Sequence, residues 1–554
     1  MKTATKTTGL RYWMARVLEE CEHVAADFSA DPVHDLRVSL RRCRSMADGM
    51  IAMDPDREWK AMKKAGKRLF QRLGALRDVQ IMMEWIEKLH PSQGEGPSVI
   101  ASSKDSADSG SASEDGPAAL SRTGLIPTPT QALLQVLRAR EVEQKQEARA
   151  ALEEFDRKEW KRWSTSLPVH AARIRPGSAV FKHLALERWT AARELHTRAL
   201  RNRSQIAFHT LRIGIKRFRY IVENFLPIEH KAWSNDLKHM QDLLGEVHDL
   251  DVLWAMALAC HVFPDEGSRT SWHERILEER TKRIEEYRER TVGPGSLWDE
   301  WRAGLPQGKQ IQLIATQRMK LWARALDPDF AHSERVSHLA LALYDGLAGA
   351  GLIAGEPDGT LAKNGAGSEA RASLHLAALL HDVGKAKGNK GHHKESLELI
   401  RGYGTPLGWN TGTIARAALV ARFHAGGLPS RSHKALRDLL PAEQRVTIQL
   451  AAVLRLANAF DTAHDGHIRR VKIENVDAPK HRTNGFLRKP VKLGLNEALI
   501  IGADGFVAGS ATAQAVAAER YLLETVLRRP VVVKTMKSAP TRRVASVMPI
   551  ATGP

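Results

Sequence analysis

The sequence predicts a mainly α fold: a duplicated helical bundle, then a second all-helical unit that ends in a small α+β segment. Three observations predict it. Charged and apolar residues alternate at helical spacing over residues 1–90, and again over 131–290 and 310–463. A basic pattern that begins at His34 returns at His209, so the first half repeats itself. Runs with strand character gather only after residue 470.

Taken in order, the first 90 residues have few Gly or Pro interruptions and read as helices. Residues 91–130, PSQGEGPSVIASSKDSADSGSASEDGPAALSRTGLIPTPT, carry too little apolar surface to offset the entropy of ordering them, and read as a disordered insertion. Charged stretches such as LRAREVEQKQEARAALEEFDRKEWKRW then predict long, partly exposed helices. A second helical unit is expected over 310–470 and a small α+β segment over 471–535. In the latter VKIENV, VKLGL, ALIIGADGF and PVVVKT read as strands, with a helix from about Thr512 to Arg528. The tail, 538–554, has no periodicity and reads as disordered.

The composition, 43% hydrophobic and 27% charged over 554 residues, excludes a wholly disordered chain and predicts several folding units. A net charge of +19 points to a polyanionic partner. Cys21, Cys43 and Cys260 are too few and too scattered for a disulfide framework or a zinc ribbon. With no apolar leader and no run long enough to span a bilayer, the expectation is a soluble, cytoplasmic protein with no membrane partner.

The repeat defines the candidate binding face. HDLRVSLRRCR at His34 and HTLRIGIKRFR at His209 match position for position. His34, Arg37, Arg41 and Arg44 share one helical face, within an arc of about 80°, and His209, Arg212, Lys216 and Arg219 repeat the offsets. Apolar Leu36, Leu40 and Cys43, matched by Leu211, Ile215 and Phe218, fall on the opposite side and can face a core. Downstream, LGALRD at 73–78 is echoed by LGEVHD at 244–249, with Lys60 and Lys67 before one Gly and Lys231 and Lys238 at the same distances before the other. Lys60, Lys63, Lys64, Lys67, Arg68 and Arg72 form a further stripe without interleaved acids. Like charges this dense repel, and a bound polyanion would offset the repulsion. Aromatic residues are not interleaved for base stacking, which favours phosphate over base readout.

These motifs resemble the CHAD domain, an α-helical domain of two related bundles about a basic pore. The resemblance covers residues 8–290 and falls on His34, on His209 and on the two LGxxxD elements. It implies binding of inorganic polyphosphate or another polyanion by His34, Arg37, Arg41, Arg44, Lys60, Lys67, His209, Arg212, Lys216, Arg219, Lys231 and Lys238. Nucleic acid is the less favoured polyanion.

The second half carries His332, His381, Asp382, His392, His393, His424 and Asp461 in helical contexts. Asp461 continues the apolar stripe Leu450, Val453, Leu454, Ala457, and a carboxylate there needs a partner. His381 and Asp382 continue the stripe of Leu374, Ala377 and Ala378, with Gly384 expected to end the helix. Three helices can thus direct two imidazoles and two carboxylates to one point, a set that suits Mn, Mg, Fe or Zn.

The order of these residues resembles the HD superfamily of metal-dependent phosphohydrolases. GHHKESLELI, LVARFHAGG and LRLANAFDTAH are similar to the region that follows the actin-like domains of exopolyphosphatases and guanosine pentaphosphate phosphohydrolases. Glu395 stands where that subgroup has a further His, and no Gly-rich phosphate loops on β-hairpins of the actin-like kind occur in this sequence. The resemblance implies His332, His381, Asp382 and Asp461 as metal ligands. His424 and one of His392 or His393 would complete a second site or hold the leaving group. A divalent metal so held would acidify water and polarise a phosphoryl oxygen. Asp382, Lys385 and His424 are the catalytic candidates, and Lys385 and Lys387 would neutralise a small phosphorylated substrate. His338, His375, His464 and His467 read as packing or surface residues.

Three readings follow: a polyphosphate-binding protein with an active phosphohydrolase unit, a polyphosphate or granule binder in which the second fold is a scaffold, and a nucleic-acid binder.

Overall fold

The computed structural model describes residues 9–89, 128–353, 369–474 and 498–536. The insertion read over 91–130, apart from its last three residues, lies outside them, as do the VKLGL run and the 538–554 tail. Two compact units divide between Ile311 and Gln312.

Unit 1 is helical throughout its described residues: α1 (Leu10–Ala26), α2 (Ala30–Ile51), α3 (Arg57–Ala65), α4 (Lys67–Leu89), α5 (Pro129–Glu153), α6 (Arg157–Ala171), α7 (Ala179–Asn202), α8 (Gln205–Phe225), α9 (Pro227–Ala259), α10 (Glu266–Thr291) and α11 (Leu297–Ala303). Its packing repeats. α1 lies on α2 as α7 lies on α8, α4 on α5 as α9 on α10, and α1 on α6 as α7 on α11. The two halves meet where α2 packs on α8. Gly49 is needed at that crossing, because a Cβ there would strike the Phe225 ring. Arg42 pairs with Glu223 and donates to Asn224 at 3.3 Å, and Asn224 in turn donates to Ser45 at 2.7 Å.

One element departs from the repeat. The stripe from Lys60 to Arg72 is not one helix, since Gly66 separates α3 from α4, whereas its counterpart Leu237 is fully buried within the unbroken α9. Glycine weakens a helix interior by roughly 1 kcal/mol, while Leu both favours helix and fills the core. The apolar positions behave as the periodicity requires: Leu36, Leu40, Cys43, Leu211, Ile215 and Phe218 have no exposed surface.

Unit 2 takes the end of α12 (Lys309–Leu326), then α13 (Phe330–Gly349), α14 (Glu369–Leu380), α15 (His392–Tyr403), α16 (Thr411–Arg422) and α17 (Pro441–Phe460). A sheet follows, of β1 (Val471–Glu474), β2 (Leu499–Ala503) and β3 (Val531–Thr535). β2 runs antiparallel to β1 and parallel to β3, the parallel connection being made through α18 (Ala511–Leu527). One apolar core runs through this unit from Met319 to Val531. Its centre is α17, where Leu450 to Ala457 are all buried. Among the described residues no helix is long and apolar enough to cross a membrane.

Candidate functional site

In unit 1 the structure brings the inner cations of both stripes together. Arg37 and Arg41 on α2 and Arg212 and Lys216 on α8 act electrostatically on one another and on Asp78 and Asp249. The LGxxxD elements explain how. Gly74 faces the Arg37 guanidinium and Gly245 that of Arg212, which lie 3.8 and 3.9 Å from where a Cβ would stand, ordinary contact distances. One turn on, Asp78 and Asp249 supply the opposing charge. Each arginine thus lies beside the Gly of one LGxxxD element, and the Asp of that element supplies its countercharge.

The cluster is short of partners. The Nε atoms of Arg41 and Arg212 are buried without a hydrogen-bond partner among the described residues. Burial, then Arg212 and Arg41, push the Lys216 amine down to about 7. Burial also pushes the Asp249 carboxyl up to about 6. Both shifts record charge held out of water, and a bound polyanion would recover the cost for the Lys216 ammonium though not for the Asp249 carboxylate. Rings line this cluster, Phe70 near Arg37 and Arg44, and Tyr220 near Arg41 at 5.5 Å.

The remaining stripe residues differ. His209 meets His248, Nδ1 to Nδ1 at 3.3 Å, while His34 lies at the exposed start of α2 near Arg77. Arg44 donates to the Lys63 carbonyl at 2.5 Å, and Arg219 lies 3.8 Å from Glu223. Lys60, Lys67, Lys231 and Lys238 are exposed, outside the inner cluster. Of the stripe without acids of its own, Lys63 pairs with Asp48, Arg68 with Glu154, and Arg72 with Glu147 at 2.6 Å. Those acids come from α2, the end of α5 and α5, where helical spacing could not reveal them.

In unit 2 the site forms where helix ends converge. His332 is in the first turn of α13, capped by Asp329. His381 and Asp382 lie just past α14, which stops at Leu380. Gly384 does not end that helix. It sits in the following 3-10 turn, Val383–Lys387, where a Cβ would strike the His392 carbonyl and the backbone of Ser396. Ser396, fully buried, accepts from the Gly384 N–H at 2.9 Å and donates to the His381 carbonyl at 2.6 Å, clamping the turn to α15.

Three histidines share one device. The Nδ1–H of His381 is committed to the Ala378 carbonyl, that of His392 to Asn389 and that of His424 to Ala421, at 2.8, 2.8 and 2.7 Å. Each carbonyl lies three residues upstream, so each Nε2 is turned toward Asp382, with separations of 3.4 Å for His381, 3.3 Å for His392 and 3.5 Å for His424. The His381 Nε2 is buried with no hydrogen-bond partner among the described residues. His392 and His424 face each other, Nε2 to Nε2, at 3.0 Å. Burial holds His381 and His424 below the ordinary imidazole range, in the neutral form that ligates metals. Burial alone would raise the Asp382 carboxyl. The pull of His381, a hydrogen bond from His392, the charge of His424 and a bond from Lys385 outweigh it and hold the carboxyl far below its usual value.

Two groupings result, His332 with His381 and Asp382, and Asp382 with His392 and His424. In each the candidate ligand atoms lie within 4.8 Å of one another. Asp382 is common to both. Lys385 touches it at 2.5 Å, while Lys387 pairs with Glu395 at 2.6 Å. Asp461 stands outside both groupings, with Oδ2 accepting from His332 Nδ1 at 2.7 Å and from Arg335 at 2.9 Å, and Oδ1 accepting from the Gly466 N–H. His393 also stands outside, beside Gly426, its imidazole pushed down to about 4 by burial and by Arg422. His464 stacks on His332 at 3.9 Å and pairs with Asp329.

Sequence reasoning did not find Asn458, whose Oδ1 lies 2.9 Å from His332 Nε2, nor Arg455. Arg455 holds the loop after His424 by donating to the Phe423 and Gly426 carbonyls, and Glu519 fixes it from α18 at 2.6 Å. Asn458 could have been found, since it stands one turn before Asp461. A buried arginine on the apolar helix α17 was the available signal for Arg455.

Residues 10–258 match the family described as CHAD domain, and residues 317–497 match Ppx/GppA phosphatase, domain III. Among solved structures the chain is similar to the CHAD domain from the plant Ricinus communis, at 20% identity and a TM-score of 0.31, over 53% of this chain and 88% of that one. No curated protein matches. The chain therefore joins a CHAD-like half to a half similar to the Ppx/GppA C-terminal region.

Proposed function

We propose that this protein binds inorganic polyphosphate through unit 1 and acts, through unit 2, as a metal-dependent phosphohydrolase on a phosphate ester or anhydride. One observation carries the second part. Three imidazoles with committed Nδ1–H groups direct their Nε2 atoms at a single buried carboxylate, and one of those atoms has no partner among the described residues. That donor set fits a borderline divalent cation such as Mn, Fe or Zn, and accommodates Mg less well. His332, His381 and Asp382 would hold one ion and Asp382, His392 and His424 a second. Bound there, a divalent metal supplies Lewis-acid polarisation of a phosphoryl oxygen and acidifies water.

The chain's own residues do the rest. Asp461 and Arg335 fix the His332 ring, Ser396 fixes the His381 turn, and Arg455 fixes the loop behind His424. Lys385, adjacent to Asp382, is placed to neutralise substrate phosphate. In unit 1 the buried, unpartnered Nε groups of Arg41 and Arg212 and the depressed Lys216 support a polyanion site that reads charge. The HD-type phosphohydrolase resemblance and the polyphosphate role of CHAD-like domains support the pairing, with the cytoplasm and polyphosphate granules as its setting.

A second reading has one observation in its favour. Lys385 neutralises Asp382 directly, as it would in a fold kept as a scaffold. The deciding experiment measures phosphate release from polyphosphate and from guanosine pentaphosphate with added Mn or Mg, in wild type and Asp382→Ala. Release that vanishes in the variant while polyphosphate binding persists supports the phosphohydrolase. Absence of release from both substrates, with tight binding in both proteins, favours the scaffold.

A further inference from the structure

The duplication of unit 1 creates a second pair of matched features, at the N-terminal ends of the two stripe-bearing helices. Ser29 stands five residues before His34 as Ser204 stands five before His209, and Gln80 and Met83 follow Asp78 at the same distances as Asp251 and Trp254 follow Asp249. Each set lines a cavity, closed in the first copy by α5 and in the second by α10. The volumes are similar, about 410 Å³ in the first copy and about 340 Å³ in the second, and both suit a small organic ligand. Their chemistry is not. The first is lined by Glu84, Glu87 and Glu141 against Arg138 and Lys145, a net negative wall with Met83 where the second has Trp254. The second is lined by Arg203 and Arg280 against Asp251, a net positive wall that includes two aromatic rings.

Those rings form a stack. Trp254 and His273 lie 4.7 Å apart and 24° from parallel, and Phe263 backs Trp254 at 5.7 Å. His273 is exposed, so the stack is open on its side. Buried Ile276 and half-exposed Leu277 add apolar wall, which a bare phosphate chain would not use. Arg280 is anchored, its Nε 2.8 Å from Asp251, which Gln205 also contacts at 3.1 Å. Arg203 has no ion pair among the described residues, and it caps α7 in the left-handed region at φ 50°, where a side chain other than Gly or Asn is disfavoured. Its counterpart in the first copy, Phe28, has no positive φ. A left-handed residue is an ordinary helix stop, as at Arg528 after α18, and what sets Arg203 apart is an exposed side chain without an ion pair among the described residues beside a cavity.

We propose that this second-copy cavity binds a nucleoside phosphate, the heteroaromatic base extending the Trp254 and His273 stack and the phosphate meeting Arg203. The site lies in unit 1 at the start of α8, next to the second basic stripe because Gln205 stands one turn before His209, and the acidic first-copy cavity does not share it. A flat ring explains the aromatic wall, and a single anionic group matches the one guanidinium left without an acid.

The test is calorimetric titration of the full chain, in EDTA, with adenosine 5′-monophosphate, adenosine and inorganic phosphate. EDTA removes any metal-dependent contribution from unit 2. The expected result is that the nucleotide binds at least tenfold more tightly than adenosine or phosphate. Arg203→Gln and Trp254→Leu should each weaken it at least tenfold, with Met83→Ala in the other cavity leaving it unchanged. Because Trp254 is part of the wall and its loss could disturb folding, exposed Arg203 carries the decision. Nucleotide binding that is absent, no tighter than phosphate, or indifferent to Arg203→Gln overturns the proposal.

Discussion

His392 and His424 point their Nε2 atoms at each other across 3.0 Å, while the Nδ1–H of each is committed to a backbone carbonyl. Two imidazole lone pairs at that separation repel unless a cation or a proton lies between them, and Asp382 beside both supplies the countercharge. His332 belongs only to the other grouping. Equilibrium dialysis with Mn should therefore show that His332→Gln and His424→Gln each remove part of the bound metal, whereas Asp382→Asn removes nearly all of it. Equal loss from all three variants would mean that a single ion is bound.

Asp461 differs from Asp382 in where its oxygens go. Its contacts with His332, Arg335 and Gly466 make it the group that orients an imidazole. Loss of such an outer carboxylate typically costs about 10- to 100-fold in metal affinity. Asp461→Asn is expected in that range, with metal stoichiometry retained at high concentration. A fall in stoichiometry would assign Asp461 as a ligand instead.

Lys385 contacts Asp382 Oδ2, the oxygen that faces His332 and His381, and so competes with a metal bound there. Lys385→Gln should tighten metal binding, read as a lower Mn dissociation constant, because the ion no longer displaces an ammonium group. The same change should lower turnover of any phosphorylated substrate, because a cation that neutralises phosphate is lost. Metal affinity left unchanged would show that the Lys385 contact is too weak to matter.

Gly384 offers a stability test. Any side chain there meets the His392 carbonyl and the Ser396 backbone, so the turn and α15 must move apart. Gly384→Ala should destabilise unit 2 by about 1–3 kcal/mol, the usual cost of overpacking. Urea unfolding followed by circular dichroism would show it as a lower midpoint. Gly402, which has open space around it, is the control: Gly402→Ala should cost nothing from crowding.

The sequence made the helical class and the duplication legible because both rest on periodicity, which the core positions of α2 and α8 obey. Repetition could not show that Gly66 breaks α3 from α4, because the same place in α9 holds a leucine. Nor could it show that Lys63, Arg68 and Arg72 find acids on other elements, since helical spacing reports only neighbours on one helix. In unit 2 the histidines were legible as a set. The choice between His392 and His393 was not, because adjacent residues on a helix point about 100° apart and only tertiary packing decides which faces Asp382.

Lys216 gives the polyanion face a pH dependence whose sign can be worked out. Its amine, pushed down to about 7 by burial, Arg212 and Arg41, ordinarily titrates near 10.5. Between those values the unfolded chain holds a proton that the folded chain lacks, so this group makes folding stability rise with pH across that window. Polyphosphate does the reverse to binding. Its negative charge favours the ammonium form, so binding takes up a proton, and affinity should fall as pH rises above about 7, by up to about tenfold per unit. Asp249, pushed up to about 6, adds to the trend at lower pH, because its protonation removes a negative charge from the cluster. His209 and His248, both held low by burial first and then Arg212, stay neutral near pH 7 in the free protein. Calorimetry with polyphosphate at pH 6.5, 7.5 and 9 should show the decline, with proton uptake visible as a dependence on buffer ionisation enthalpy. Lys216→Met should bind more weakly and lose most of the pH dependence above 7. If the variant kept the full decline, the titrating group would lie elsewhere on the face.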